Sequence, residues 1–384
     1  MFRNKLFFIG TSKRHVPFIR IAQRMGCFVV GIDKDINSPG AKLCHVFKPI
    51  SIKDTDSALQ LASHYDVDAC VTVADQGLGT CAAINTKLSL RGIKNDTYDI
   101  VNRKDKFKDV MKFFGVPTPK VTYDEFPVIV KPKIGTGSNG VVKLNTKHEL
   151  GHYMYSAKND NYIVEKFIEG DHLSVDILMQ GGITKYSLMQ DRYLEHDDCY
   201  VDSIIVSPSK YFKVSPWENG RTDILHTAEF VCMAIGLMDG PANVQFIIDK
   251  DGNEYVHEVN PKISGPYGIE CHTYATNTSW FRDILKVALG IGADSLDYNN
   301  IVPNACITFG ADKDGLYYRT RLSSAARPII DEWWWKETGD TIHKFKTVKD
   351  SIGHIFIMGD DVPEITKRAR IILEETKIQY IGGC

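Results

Sequence analysis

The 384-residue sequence has little that would make a disulfide scaffold or a zinc knuckle. Its nine cysteines are scattered from Cys27 to Cys384, the number is odd, and no C-x-x-C pair occurs. That spacing points to a reducing compartment, with most thiols acting as small core residues. No apolar run approaches the length needed to span a bilayer. The opening MFRNKLFFIG is too short for a signal-peptide core and reads as a buried first strand. Neither sign of charge dominates: the formal net charge is -2, which leaves no basic footprint for nucleic acid. That first strand runs into G-T-S-K-R-H rather than G-x-G-x-x-G, and no G-x-x-x-x-G-K-[ST] loop is present. Neither a dinucleotide fold at the N-terminus nor a Walker A site is therefore expected. No internal repeat stands out. These absences predict a cytoplasmic globular protein without nucleic-acid or membrane partners.

The positive signals are regular. At roughly 100–200 residues per domain, the length predicts two or three domains. Strand and helix patterns alternate through 5–10, 14–25, 27–33, 53–64, 68–74 and 77–87, the mark of a parallel sheet with covering helices. Ligands gather beyond the carboxyl ends of such strands, where Asp33, Asp75 and Gln76 sit, although loop or capping roles are as good a reading. A helix over 103–114 stops at Gly115, followed by V-P-T-P, and places a domain joint near 117–120. Strands then dominate at 127–133, 140–144, 162–168, 172–179, 183–189 and 201–206. A helix over 218–236 follows, and then two more strands. Further strands and a helix at 362–376 close the chain.

Two segments carry chemistry. PVIVKPKIGTGSNG brings Lys131 on a strand into a loop with Gly135, Gly137, Ser138 and Gly140. Glycines let successive amides converge on an anion, and a lysine adds a point charge for phosphate. The second segment is ANVQFIIDKDGNEYVHEVNPK. A two-residue turn at Asp251-Gly252 would set Gln245 opposite Glu258, with Asn260 on the same face and His257 on the other. One carboxylate and two amide oxygens suit Mg²⁺, which completes its shell with phosphate oxygens.

Together these segments resemble the ATP-grasp superfamily, especially its carbamoyl-phosphate synthetase and biotin carboxylase branch. The resemblance rests on N-R-K-D with G-V-P thirteen residues beyond Lys104, on V-K-P-K-I-G-T-G-S-N-G, on Y-I-V-E-K-F-I-E-G-D-H, and on Gln245 with E-V-N-P. It implies an α/β (α+β) fold with an N-terminal unit over 1–116 and an ATP-grasp unit over 117–300. The lobes of that unit divide near 168, and 301–384 completes the large lobe. It implies ATP and Mg²⁺, or Mn²⁺, as cofactors. Lys104, Lys131, Gly135, Gly137, Ser138 and Gly140 would meet the phosphates. Glu165 would take the adenine amino group, the backbone of Lys166 to Ile168 would meet the ring, and His172 the ribose. Gln245, Glu258 and Asn260 would hold metal. Lys262 stands where the family often has Arg, and with Lys131 is expected to be catalytic. The implied reaction joins a small carboxylate to an amine or ammonia through an acyl phosphate. A small-molecule kinase and a silent nucleotide-binding regulator are the alternatives, and a homodimer is the expected assembly.

Three further features have weaker readings. Arg192 lies in a charged stretch that reads first as a solvated hairpin face and second as a carboxylate grip. The Trp333–Trp335 run exceeds what one helix face buries, so at least one ring should meet another domain or subunit. His257 and His272 read as core or surface residues.

Overall fold

In a computed structural model the described residues are 4–135, 137–157, 161–195, 199–212, 223–264, 267–294 and 296–382. The chain opens as an alternating unit: β1 (Lys5–Ile9), α1 (Val16–Arg24), β2 (Phe28–Ile32), β3 (Val46–Lys48), α2 (Thr55–Tyr65), β4 (Ala69–Val71) and α3 (Leu78–Lys87). Its four strands are parallel in the order β3-β2-β1-β4. The short strands are buried because helices cover both faces, as parallel strands require. Phe7, Ile9, Val30 and Ile32 pack toward α2 and α3, while Leu6, Phe8 and Val29 pack toward α1.

Next come α4 (Asn95–Asn102) and α5 (Lys104–Phe113), then a small antiparallel sheet of β5 (Val128–Pro132), β6 (Val142–Leu144) and β7 (Tyr162–Lys166), with α6 (Lys147–Ala157) against one face. The large sheet begins with β8 (Gly170–Gln180), β9 (Ile183–Tyr193) and β10 (Ile204–Ser207). After α7 (Asp223–Ala234) it gains β11 (Gly240–Asp249) and β12 (Glu254–Asn260). The expected residues 218–222 of the helix before β11 lie outside the described residues. Helices α8 (Gly268–Thr276) and α9 (Trp280–Ala288) precede β13 (Asn304–Gly310), β14 (Gly315–Arg321), β15 (Asp331–Trp334), β16 (Thr341–Ile342), β17 (Ser351–Met358), α10 (Val362–Glu375) and β18 (Lys377–Tyr380). Eight strands form one antiparallel sheet in the order β12-β11-β8-β9-β10-β13-β17-β15.

Period-two alternation decides what each face of that sheet does. Leu173, Val175, Ile177, Met189, Val244, Phe246 and Val259 point into one apolar layer with Phe107 and Met111 of α5 and Val231 and Cys232 of α7. The other face carries His172, Ser174 and Asp176, paired with Arg192, Gln190 and Leu188 on β9 and with Ile247, Gln245 and Asn243 on β11. Trp280 and Leu285 of α9 pack with α1 and with Tyr186 and Leu188, so the N-terminal unit is joined to the large sheet by a common core.

The tryptophan run is a strand and its extension, not a helix. Successive rings therefore alternate sides. Trp334 stacks on Phe309 with centroids 5.8 Å apart, while Trp333 and Trp335 flank Tyr267. Lys13 of the N-terminal unit lies 4.3 Å from the Trp335 ring centroid, so the run does meet a second part of the chain. The described cysteines are all free thiols, and most are buried. Among the described residues no helix is long and apolar enough to cross a membrane.

Candidate active site

Helix α5 supplies two lysines one turn apart. Lys104 opens the helix, with its N–H on the Lys133 carbonyl and its Nζ 2.9 Å from the Gly135 carbonyl. Lys108, four residues on, projects from the same face. Burial lowers the Lys104 pKa, opposed by Glu258 and reinforced by Lys131, so these groups share one field.

On the small sheet, Lys131 pairs with Ile163 and Ile129 with Glu165, which puts Lys131 and Glu165 on one face. The Lys131 Nζ is 2.6 Å from Glu165 Oε2. Lys108 Nζ is 2.8 Å from Glu165 Oε1, off the line of a hydrogen bond, and donates to the Pro119 carbonyl. Glu165 is 3% exposed. Burial pushes its pKa up, but the two lysines outweigh burial and hold it below the ordinary value. Its carboxylate thus faces lysines, where the resemblance implied an adenine contact. Two hinge amides are also engaged: Lys166 N–H donates to the Lys120 carbonyl and Phe167 N–H to that of Pro127. The Ile168 amide has no protein acceptor among the described residues. The loop leaving β5 uses positive φ at Gly137, Ser138 and Gly140, and Ser138 Oγ donates to the Tyr200 carbonyl of the large sheet's side at 2.8 Å. Thr136 lies outside the described residues.

The β11–β12 hairpin pairs Gln245 with Glu258 and Asn243 with Asn260, as the expected register requires. The route differs. The turn is a three-residue loop, with Asp249 N–H on the Asn253 carbonyl and Gly252 at φ +83°. A bulge between Gln245 and Phe246 then takes up the extra residue, His257. Val256 and Val259 both enter the apolar layer, so His257 and Glu258 share the opposite face. His257 therefore points into the cleft, not away from it: its ring is 6.1 Å from that of His172. Burial, with Lys131, His172 and Arg192 nearby, drives the His257 pKa far down, and burial with Arg192 lowers that of His172 to about 4. Both rings are neutral at pH 7. The cleft's positive charge therefore comes from lysines and Arg192.

Arg192 is the main correction to the sequence reading. It is no solvated hairpin residue: its side chain is 14% exposed, Nε lies 3.0 and 3.1 Å from the Asp202 oxygens, and Nη1 donates to Gln245 Oε1 at 2.6 Å. Gln245 Nε2 donates to Asn243, Asn243 to Asp176, and Asp176 accepts from Gln190 and bonds the buried His272. The amide oxygen assigned to metal is therefore already accepting from a guanidinium. Glu258 has no ion-pair partner among the described residues, and no group of three His, Cys, Asp or Glu gathers there. Glu258 with Asn260 suits one Mg²⁺, whose remaining positions would be filled by ligand oxygens and water.

Lys262 closes the other end. Only 8% exposed, it places Nζ 3.2 Å from Asp75 Oδ1, beyond β4 of the N-terminal unit. Asp75, read at first only as a strand-end residue, thus links the first sheet to the cleft. Asp33 instead caps its own loop, accepting from Thr11 and Asp35 amides, and Gln76 is exposed. Beside Lys262, Arg14 lies 5.4 Å from the Tyr267 ring centroid and donates weakly to the Ser264 carbonyl at 3.4 Å. Sequence reasoning missed Lys108, Asp75 as a partner and His257; only Lys108 had a usable signal, its four-residue spacing from Lys104.

Buried neutral histidines also set the pH response. Burial lowers His15 to about 4 and His354 to about 3, from 6.5. Between those values and 6.5 the unfolded chain binds protons that the native chain rejects. Stability is therefore full above pH 6.5 and falls as pH drops through the window. At pH 5 each ring should cost about 2 kcal/mol. Urea midpoints should be clearly lower at pH 5 than at 7.5; equal midpoints would contradict the assignment.

Comparison with known proteins agrees with this geometry. Residues 101–266 match the family model described as an ATP-grasp domain. The carbamoyl phosphate synthase large chain of Thermoanaerobacter sp. (strain X514) is 24% identical over 264 residues, which is 64% of this chain and 23% of that one. The chain thus spans about a quarter of that relative's length. Among solved structures, the L-amino acid ligase of Bacillus licheniformis superposes with TM-score 0.81 at 20% identity, covering 99% of both chains. The biotin carboxylase domain of Hydrogenobacter thermophilus 2-oxoglutarate carboxylase, solved with MgADP and bicarbonate, superposes with TM-score 0.74 at 17% identity, over 98% of this chain and 90% of that one. The lysines of α5 and β5, the hinge and the β11–β12 hairpin all fall inside the segment, residues 101–266, that matches the ATP-grasp domain model.

Proposed function

We propose that the chain is an ATP-dependent ligase that activates a small carboxylate as an acyl phosphate and joins it to an amine or ammonia, releasing ADP and phosphate. The carrying observation is the convergence of Lys104, Lys108 and Lys131 with Glu258 and Asn260 in one cleft that ends at the Lys262–Asp75 pair. The relatives named above support the same reaction class. We read 1–116 as the N-terminal unit, 117–300 as the ATP-grasp unit with its lobes meeting near 168, and 301–384 as completing the large lobe.

A carboxylate acylates poorly because its leaving group is oxide. Phosphorylation by ATP provides a better one, and an amine then displaces phosphate. The protein's task is to neutralise charge and align oxygens. Lys104 and Lys131 offset phosphate charge, with Gly135, Gly137, Ser138 and Gly140 bringing backbone amides to the same oxygens. Binding between the lobes frees Lys131 in part from Glu165, while Lys108 keeps Glu165 paired. The Ile168 amide is the hinge donor for the base, and His172, neutral, faces the ribose. Glu258 and Asn260 would hold the metal ion, Mg²⁺ or Mn²⁺, which would supply charge neutralisation at the phosphates when bound. Gln245 supports them through its hydrogen bonds. Lys262, oriented by Asp75, meets the acceptor carboxylate or the transferred phosphoryl. The aromatic wall of Tyr267, Trp333 and Trp335 beside Arg14 is the substrate side of the cleft.

The test is ADP and phosphate release from MgATP with pooled amino acids and other small acids, followed by mass spectrometry. A product of mass acid plus amine minus water is expected. A singly phosphorylated acceptor would replace the ligase by a kinase, and AMP with pyrophosphate would remove the acyl-phosphate route.

A further inference from the structure

Arg192 is a cation of the cleft that none of the sequence motifs accounts for. It sits on β9 opposite His172 of β8, and Gln245 lies on β11, on the far side of β8. Adjacent strands are about 4.8 Å apart, so the side chain crosses roughly two strand spacings along the sheet surface. At its tip two of three nitrogens are fixed. Nε lies 3.0 and 3.1 Å from the two Asp202 oxygens, and Nη1 is 2.6 Å from Gln245 Oε1. Nη2 has no protein acceptor among the described residues. A guanidinium is planar and permanently charged, so fixing Nε and Nη1 also fixes the direction of Nη2. It is a pre-aimed donor for an oxygen that none of the described residues supplies.

The same contact sets a fixed cation against Gln245 Oε1, so a metal ion sharing that oxygen would meet a positive charge. Gln245 Nε2 donates to Asn243 Oδ1 at 2.9 Å, and Asn243 donates to Asp176 Oδ1 at 3.0 Å. Turning the amide over would bring Nε2 against Nη1, donor to donor, and would break that chain. Glu258 and Asn260 remain, one carboxylate and one amide oxygen, which is a donor set for a single Mg²⁺. A second divalent ion beside Gln245 would stand against a fixed positive charge.

From this we propose that Arg192 takes the place of a second divalent metal ion. The polyphosphate is held by one ion on Glu258 and Asn260, and by Arg192 Nη2 acting directly on a phosphate oxygen. The inference rests on the ATP reading given above and specifies how that site is charged. The sheet order makes the role possible: Arg192 of β9 is long enough to pass over β8 and reach Gln245 of β11.

Metal stoichiometry tests it without turnover. Mn²⁺ bound per chain is counted by electron paramagnetic resonance in the presence of a non-hydrolysable imido analogue of ATP. Wild-type protein should bind one Mn²⁺. Arg192→Lys, which keeps the charge, should also bind one. Arg192→Gln should lose at least tenfold in analogue affinity with one equivalent of Mn²⁺, and recover in excess Mn²⁺ as a second ion enters. Two ions on the wild-type chain would overturn the inference while leaving the ATP reading intact. So would an Arg192→Gln protein that binds the analogue with one ion as the wild type does and is impaired only toward the carboxylate substrate. Wild-type protein that holds no analogue at any Mn²⁺ concentration would overturn the ATP reading itself, and this inference with it. Should Arg192→Gln fail to fold, the wild-type count still decides.

Discussion

Glu165→Ala is expected to lower stability by about 3–5 kcal/mol, the range for breaking a buried ion pair by removing one partner. Two lysines lie against this carboxylate, at 2.6 and 2.8 Å, with side chains only 9% and 10% exposed. Removing it leaves Lys131 and Lys108 facing each other without a counter-charge in a site that water enters poorly. Lys131 already tends to lower the Lys108 pKa. The substituted protein should therefore partly regain stability at higher pH, where a lysine can shed its proton, whereas the wild type should not. Urea denaturation at pH 7 and pH 9, followed by tryptophan fluorescence, measures both effects. A loss under 1 kcal/mol would mean that the three groups separate in solution. Nucleotide binding should fall as well, because Lys131 would no longer be held in place.

Glu258→Ala should behave in the opposite way. Turnover should drop by at least about three orders of magnitude, since the charge stabilisation of phosphoryl transfer depends on positioned cations. Stability should change little, within about 0.5 kcal/mol, because no ion pair among the described residues depends on this carboxylate. Bound Mn²⁺ in the presence of the ATP analogue should vanish together with ADP release. Retention of near-normal ADP release with the substrates that support the wild type would falsify the assignment of Glu258 as the metal carboxylate. The two substitutions form a contrast: one carboxylate organises the cleft's own cations, and the other is left without an ion-pair partner among the described residues.

What the chain discloses before folding depends on the range of each contact. Period and turn signals within short windows place β1, β2, β5, β8, β11, β12 and α5, and they pair Gln245 with Glu258. The strands β3, β14, β15, β16 and β18 escape because two to seven residues with mixed burial give no clear alternation. Helix α6 escapes because its apolar stripe is weak, with Leu150 its one buried residue. Within the site, Lys104, Lys131, Glu258 and Asn260 are legible as local motifs. The partners of Glu165 are not, because one lies 57 residues upstream on a helix and the other on a neighbouring strand. Arg192 is misread for a related reason. Its sequence neighbours are charged and loop-like, and the reach across β8 to Gln245 exists only once three strands are side by side. His257 is misread because alternation was carried through a bulge, where it fails.

That bulge has a bearing on how the family of such chains can vary. The hairpin tip, Lys250 to Gly252, is exposed and distant from the cleft, the kind of place where lineages gain and lose residues. In a strict ladder, one residue more or less at the tip would rotate every later side chain of β12 to the wrong face. Here the odd residue is absorbed at His257, between the tip and Glu258. The bulge acts as slack in the strand: loop length can drift at one end while Glu258 at the other keeps its phase.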